Sequence, residues 1–250
     1  MGNNMKCLDC GIENEDDRNF CISCLAELQK EPYIDFQDIK KLTTSTVVFL
    51  SLSFIIELIY AWVSFSQVQL WQKVKNGLLD EEEANAMSKQ YLDLLLNYMT
   101  PLSIVLLISS ILVFTWIYKA NKNSHALGAK NMKYSPLGSI GWYFVPILNF
   151  FKPYYAMKEI YQTSISSENW ENTHISGYIW LWWSTWVLSW VITYKDFKTT
   201  FSQVIQSELS TALSGLIENL LMLLSIMFLI IIIRTVSQNQ VKNFTNKETI

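Results

Sequence analysis

The chain has 250 residues, half of them apolar and only 16% charged, with a formal net charge of −3. A soluble domain carries about a quarter charged residues, and a nucleic-acid binder shows a basic excess or stripe, so the composition fits neither class. The apolar residues lie in long blocks between polar stretches, which is the pattern of an all-α polytopic membrane protein.

The polar N-terminus comes first. Residues 1–28 hold all four cysteines as two Cys-x-x-Cys knuckles, Cys7/Cys10 and Cys21/Cys24. Two tight turns that each offer two soft thiolates make the tetrahedral set that zinc takes, so a zinc ribbon with structural Zn2+ is expected. With four protein ligands, no coordination position is left open for catalysis. Gly11 follows the first pair, where a turn amide approaches the sulfur, while Leu25 stands at the matching place in the second. So small a module builds little core, and the metal becomes its main source of stability. A reducing cytoplasm disfavours the alternative of disulfides, and no thioredoxin-like βαβ pattern surrounds the pairs. Neither a secretory signal peptide nor a myristoylation site is expected. Residues 29–42 read as a linker.

Four blocks then qualify as transmembrane helices, at about 43–65, 101–118, 176–194 and 215–236. At about 1.5 Å per residue each reaches most or all of the way across a hydrocarbon core of about 30 Å. Backbone amides in lipid need internal partners, which makes blocks of this length helical. Asn76-Gly77 is a stop for an extension of the first helix. Asp80 and Glu83 have the spacing of a capping box, followed by apolar residues at helical intervals from Ala84 to Tyr98. This loop is expected to be a helical hairpin outside the membrane. Thr100 and Pro101 suit the cap and first position of the second span. Phe197, Phe201, Val204, Ile205 and Leu209 suggest an amphipathic helix in the third loop. Residues 237–250 read as a polar tail. Four spans put both termini and the second loop on one side, which collects 14 of the 19 Lys and Arg. By the positive-inside rule that side is the cytoplasm.

The most distinctive stretch lies between the second and third spans. It contains Trp116, Ala120, Asn121, Asn123, Leu127 and Gly128, then Pro136, Gly141, Trp142, Pro146 and Asn149, then Pro153, Tyr154, Met157 and Glu159. The order Ala-Asn-x-Asn-x-x-Ala-Leu-Gly, followed by Gly-Trp-x-Phe-Val-Pro-Ile-x-Asn and Pro-Tyr-x-Ala-Met-x-Glu-Ile, resembles the bacterial membrane family catalogued as domain of unknown function 4328. The resemblance covers about residues 45–235 and implies a multi-pass protein of the bacterial plasma membrane, often with a zinc ribbon attached. It implies no activity. On its own chemistry, Gly138 to Phe151 is apolar but too short for an untilted span. Pro146 breaks a helix there, and Pro153 starts another, with Tyr154, Met157, Ile160 and Tyr161 on one face. Two readings of 138–162 stand: a re-entrant helix-break-helix wedge, or an interfacial aromatic anchor.

Glu57 falls inside the first span and Glu218 near the outer end of the fourth. A lone carboxylate costs roughly 2.5–3.5 kcal/mol at mid-membrane on insertion scales, so Glu57 is expected to face the bundle. The two carboxylates, with Lys195 as a partner, are a candidate intramembrane ion site; protonation or serine hydrogen bonds at Glu57 are the structural alternative. Trp180, Trp182, Trp183, Trp186 and Trp190 crowd the third span, where packing is the expected role and a surface for a lipid or apolar ligand the other. His125 and His174 read as solvated or interfacial, and no hydrolase, metalloprotease or phosphate-loop motif occurs. The sequence therefore supports a non-enzymatic membrane anchor or sensor whose ribbon docks a protein partner, surrounded by membrane lipids. A small transporter or channel using Glu57 and the broken central segment is the alternative, and a lipid-modifying enzyme a weaker one.

Overall fold

The computed structural model describes residues 4–7, 9–15, 18, 20–26, 35–99, 102–201 and 208–248. The chain divides into two compact units, Met1–Asp35 and Phe36–Ile250.

In the first unit, strands β1 (Asn4–Lys6) and β2 (Glu13–Glu15) pair antiparallel, with Met5 opposite Asn14. The second unit is helical: α1 (Lys40–Lys75), α2 (Glu81–Leu94), α3 (Ser103–Ala126), α4 (Pro136–Gly141), α5 (Lys152–Ile165), α6 (Gly177–Phe201) and α7 (Glu208–Glu248). Thr100 and Pro101 lie outside the described residues, as do Val204 and Ile205 of the expected amphipathic helix.

Local chemistry sets the helix ends. α1 stops as expected: Gly77 takes φ 69, the Gly77 amide reaches Val74 O at 2.9 Å, and the Leu78 amide reaches Lys73 O at 2.9 Å. These two bonds satisfy the last carbonyls in a Schellman arrangement. α3 ends the same way on Gly128 (φ 85), with Gly128 N to His125 O at 2.9 Å and Ala129 N to Ser124 O at 3.1 Å. Asp80 caps α2, its carboxylate accepting from Glu83 N at 2.7 Å. α2 folds back on α1, where Tyr91 meets Trp62 edge-on, and Ala84 seals a small core of Val68, Trp71 and Ala212.

α7 is the central helix, packed along both α1 and α6, while α3 packs on α1 and α5. The main core joins Val47 and Leu50 of α1, Trp116 and Ile117 of α3, Met157 and Ile160 of α5, Trp182 and Trp183 of α6, and Ile232 and Ile233 of α7. The outward faces stay apolar: Val48 and Ile55 on α1, Leu107 and Ile111 on α3, Ile217 and Leu220 on α7. Exposed apolar belts of this extent belong to a membrane setting. Three helices, α1, α3 and α7, are long and apolar enough to cross a membrane. The third expected span, 176–194, coincides with α6, which has the length, at 25 residues, but is not among those three. Its tryptophans, tyrosines and hydroxyl residues lower its hydropathy. Residues 237–248, read as a tail, continue α7 as helix.

Candidate functional site

The four cysteines converge. Their sulfurs all lie within 4.8 Å of one another, with Cys7 Sγ to Cys24 Sγ at 3.6 Å and Cys10 Sγ to Cys21 Sγ at 3.5 Å. Thiolates held about 2.3 Å from a shared ion sit about 3.8 Å apart, whereas a disulfide needs about 2.05 Å. The geometry therefore fits a metal ion. Both knuckles use one backbone plan: Gly11 N donates to Cys7 O at 2.9 Å, and Leu25 N to Cys21 O at 3.0 Å. Leu25 adopts φ 58 and Gly11 φ 75, so the leucine takes up the left-handed geometry that glycine normally supplies. The amides of Cys24 and Ser23 point at Cys21 Sγ and pull that thiol down to about 6, which favours the thiolate that binds metal. Asn14, buried, donates to the same sulfur and holds Ile22 N through its Oδ1 at 2.7 Å.

The family-like motif forms a second constellation, and most of its polar residues turn out to be clamps. Trp116, fully buried, shares its Nε1–H between Thr43 Oγ1 at 3.1 Å and Ser237 Oγ at 3.0 Å, joining α1, α3 and α7. Asn123 accepts from Gln37 N at 2.9 Å and donates to Gln37 O at 2.9 Å, fixing the segment before α1 as a neighbouring strand would. Ala120 is fully buried where Gln240 donates to its carbonyl at 2.8 Å. Asn121 donates to Tyr134 O at 3.0 Å. Glu159 accepts from Lys133 N at 3.0 Å and Tyr134 N at 3.2 Å, and burial pushes its carboxyl up while those amides pull it down. Asn121 and Glu159 thus hold the turn at Lys133–Tyr134 from two helices. Leu127 is buried beside Gly128, and its carbonyl accepts from Lys247 Nζ at 2.7 Å.

Pro136 opens α4 behind Ser135, which caps Gly138 N at 3.1 Å, and Gly141 closes it. Trp142 begins a single 3-10 turn to Phe144. At Pro146 the helix breaks: Leu148 N reaches Pro146 O at 2.8 Å in a γ-turn around Ile147, which sits at φ 67. The classic γ-turn is rare and strained, above all for a β-branched residue. Asn149 is fixed through its backbone to Val145 O, and Trp183 of α6 donates to Phe150 O at 2.8 Å. Phe144 and Ile147 are 71% and 74% exposed, so the break presents an apolar tip. Pro153 lies in the first turn of α5, Met157 is buried, and Tyr154 is half-buried. The expected apolar face of α5 is joined by buried Glu159, Gln162 and Thr163, because hydrogen bonds to α3 and the surrounding loops cover them. Among the described residues, three buried atoms, Asn121 Oδ1, His125 Nε2 and Asn149 Oδ1, have no hydrogen-bond partner. His125 is half-buried, with the Tyr134 backbone beside its ring.

Glu57 lines a cavity of about 390 Å³ with Ser53, Ser109, Trp186, Trp190 and Ser225. Glu218 lies close enough for the two carboxylates to interact. It accepts from Thr193 Oγ1 at 2.7 Å, and Lys195 forms no ion pair with either acid among the described residues. Ser53 and Ser109 pair with each other at 2.8 Å across α1 and α3. Trp182, Trp183, Trp186 and Trp190 form a continuous stack along α6, while Trp180 is exposed.

Gln37, Ser124, Thr163 and Gln240 complete the buried polar network and were not singled out in the sequence. Each is a common polar residue whose partner lies tens of residues away. A family model described as "Domain of unknown function (DUF4328)" matches residues 82–238. No curated protein and no solved structure matches the chain.

Proposed function

The chain belongs to the DUF4328 family, and from that premise we propose that it is a non-enzymatic membrane anchor whose N-terminal unit is a zinc ribbon that docks a protein partner at the cytoplasmic face of a bacterial plasma membrane. The observation that carries the reading is the closed set of four sulfurs within 4.8 Å. Four soft protein ligands in a tetrahedron are the structural-zinc pattern. The ribbon also exposes Ile12, Phe20, Ile22 and Leu25, four apolar side chains on a very small module, and such a surface suits a partner. α6 serves as a fourth span. Its exposed Leu188 and Val191 and its seat on α7, through stacked Tyr178 and Phe228 and a bond from Ser225 Oγ to Trp182 O, support that role. Both termini lie in the cytoplasm on the Lys and Arg bias.

The test is cross-linking in cells of the full chain, a chain lacking residues 1–35, and Phe20→Ser/Leu25→Ser. The reading expects one partner set to be captured by the full chain and lost from both variants, while all three remain in the membrane. Identical partners from all three would overturn it.

The Glu57 cavity favours a second reading, a proton or cation path through the bundle. In proteoliposomes, Glu57→Gln would then abolish a flux that Glu218→Gln weakens. Flux unchanged by either substitution removes this reading and leaves the anchor.

A further inference from the structure

We propose that the lysine-lined cavity beside α5 binds the phosphate of an anionic phospholipid whose acyl chain lies in the adjoining groove along α6. The inference needs the membrane setting of the helices and is independent of what the ribbon docks. Lys133, Lys152 and Lys158 share one cavity of about 520 Å³, walled by Tyr134, Tyr155 and Trp170. Among the described residues none of the three is in an ion pair, Arg18 with Glu15 being the one ion pair there. Two carboxylates also line the cavity, Glu159 and Glu171. Glu159 accepts from the amides of Lys133 and Tyr134, and the charges of Lys133 and Lys158 also act on its carboxylate. Three lysines face two carboxylates, so the cavity carries an excess of positive charge for a ligand. Lys152 Nζ is held 5.8 Å from the Tyr134 ring centroid and 5.5 Å from that of Trp142, so aromatic faces position one cation before any ligand arrives.

Tyr155 also lines a groove of about 380 Å³ whose walls are Phe151, Tyr154, Trp180, Val187 and Leu188. A cationic cavity and an apolar groove thus meet at one side chain. A free phosphate would use only the first, whereas a lipid fills both. Basic pockets beside transmembrane helices hold anionic headgroups. A zwitterionic lipid would bring its own cation against three lysines, which selects against it.

The experiment is native mass spectrometry of the full chain released from detergent with equal phosphatidylglycerol and phosphatidylcholine. Phosphatidylglycerol should be retained preferentially, and Lys133→Gln/Lys152→Gln/Lys158→Gln should cut that preference about tenfold. Lys73→Gln/Lys75→Gln/Lys89→Gln removes equal charge elsewhere and should leave it unchanged. Lys133 is exposed, so Lys133→Gln alone should fold and cut the preference about two- to threefold even where the triple variant does not. Val187→Trp fills the groove and should lower lipid retention without altering competition by inorganic phosphate. Equal preference in the parent and the lysine variants overturns the proposal. So does full displacement of lipid by inorganic phosphate with Val187→Trp harmless, which reassigns the cavity to a soluble anion.

Discussion

Gly128 links a motif glycine to a physical requirement. Its φ of 85 ends α3, and a Cβ there would approach Lys247 Nζ at 3.6 Å, in ordinary contact. Backbone conformation is therefore the whole cost, and Gly128→Ala should destabilise the bundle by about 1 kcal/mol, read as a lower melting temperature in detergent. Leu25 poses the reverse case. It holds a left-handed conformation at φ 58 with a full side chain, so Leu25→Gly should stabilise the ribbon by about 1–2 kcal/mol, measured as tighter metal retention against a chelator. Glu159 accepts two backbone amides from a buried position. Glu159→Gln turns one acceptor into a donor facing an N–H and should cost about 1–3 kcal/mol; a melting temperature equal to that of the parent would remove the clamp role.

At the scale of elements, what was readable in advance was local. Asp80 with Glu83 and Asn76-Gly77 act over three to five residues, and both appear as helix ends where the residue types place them. The four-cysteine cluster was legible because its spacing is tied to one coordination geometry. The role of the motif was not. Asn123 with Gln37 and Gln240 with Ala120 join residues 86 and 120 apart, and nothing in either neighbourhood announces the partner. α6 shows the limit of hydropathy: Trp182, Trp183 and Trp186 pack in the core, yet tryptophan counts as weakly polar on the hydropathy scale. The broken segment between α4 and α5 keeps both of its readings. Its exposed Phe144 and Ile147 favour contact with lipid, and the bond from Trp183 to Phe150 O anchors it to α6. Single cysteines at 144 and 147 should resist a membrane-impermeant thiol reagent in vesicles and react in detergent, whereas a cysteine at 137 before the break should react in both. Full reaction at 144 in vesicles would place the tip in water.

The whole molecule combines a module too small to fold on apolar burial with a helical unit whose outer faces are too apolar for water. A four-cysteine module of this size would draw its stability from a bound metal ion, and the helices draw theirs from packing on α7 and from the buried hydrogen bonds of Trp116, Asn123 and Gln240. The central claim is that one chain is both a membrane protein and a four-thiolate zinc protein. The direct measurement is the metal content of the full chain extracted from washed membranes under reducing conditions, beside the Cys10→Ser/Cys24→Ser variant. The account expects about one zinc per chain in the parent, none in the variant, and both chains in the membrane fraction. A parent free of zinc, or found in the soluble fraction without detergent, would contradict it.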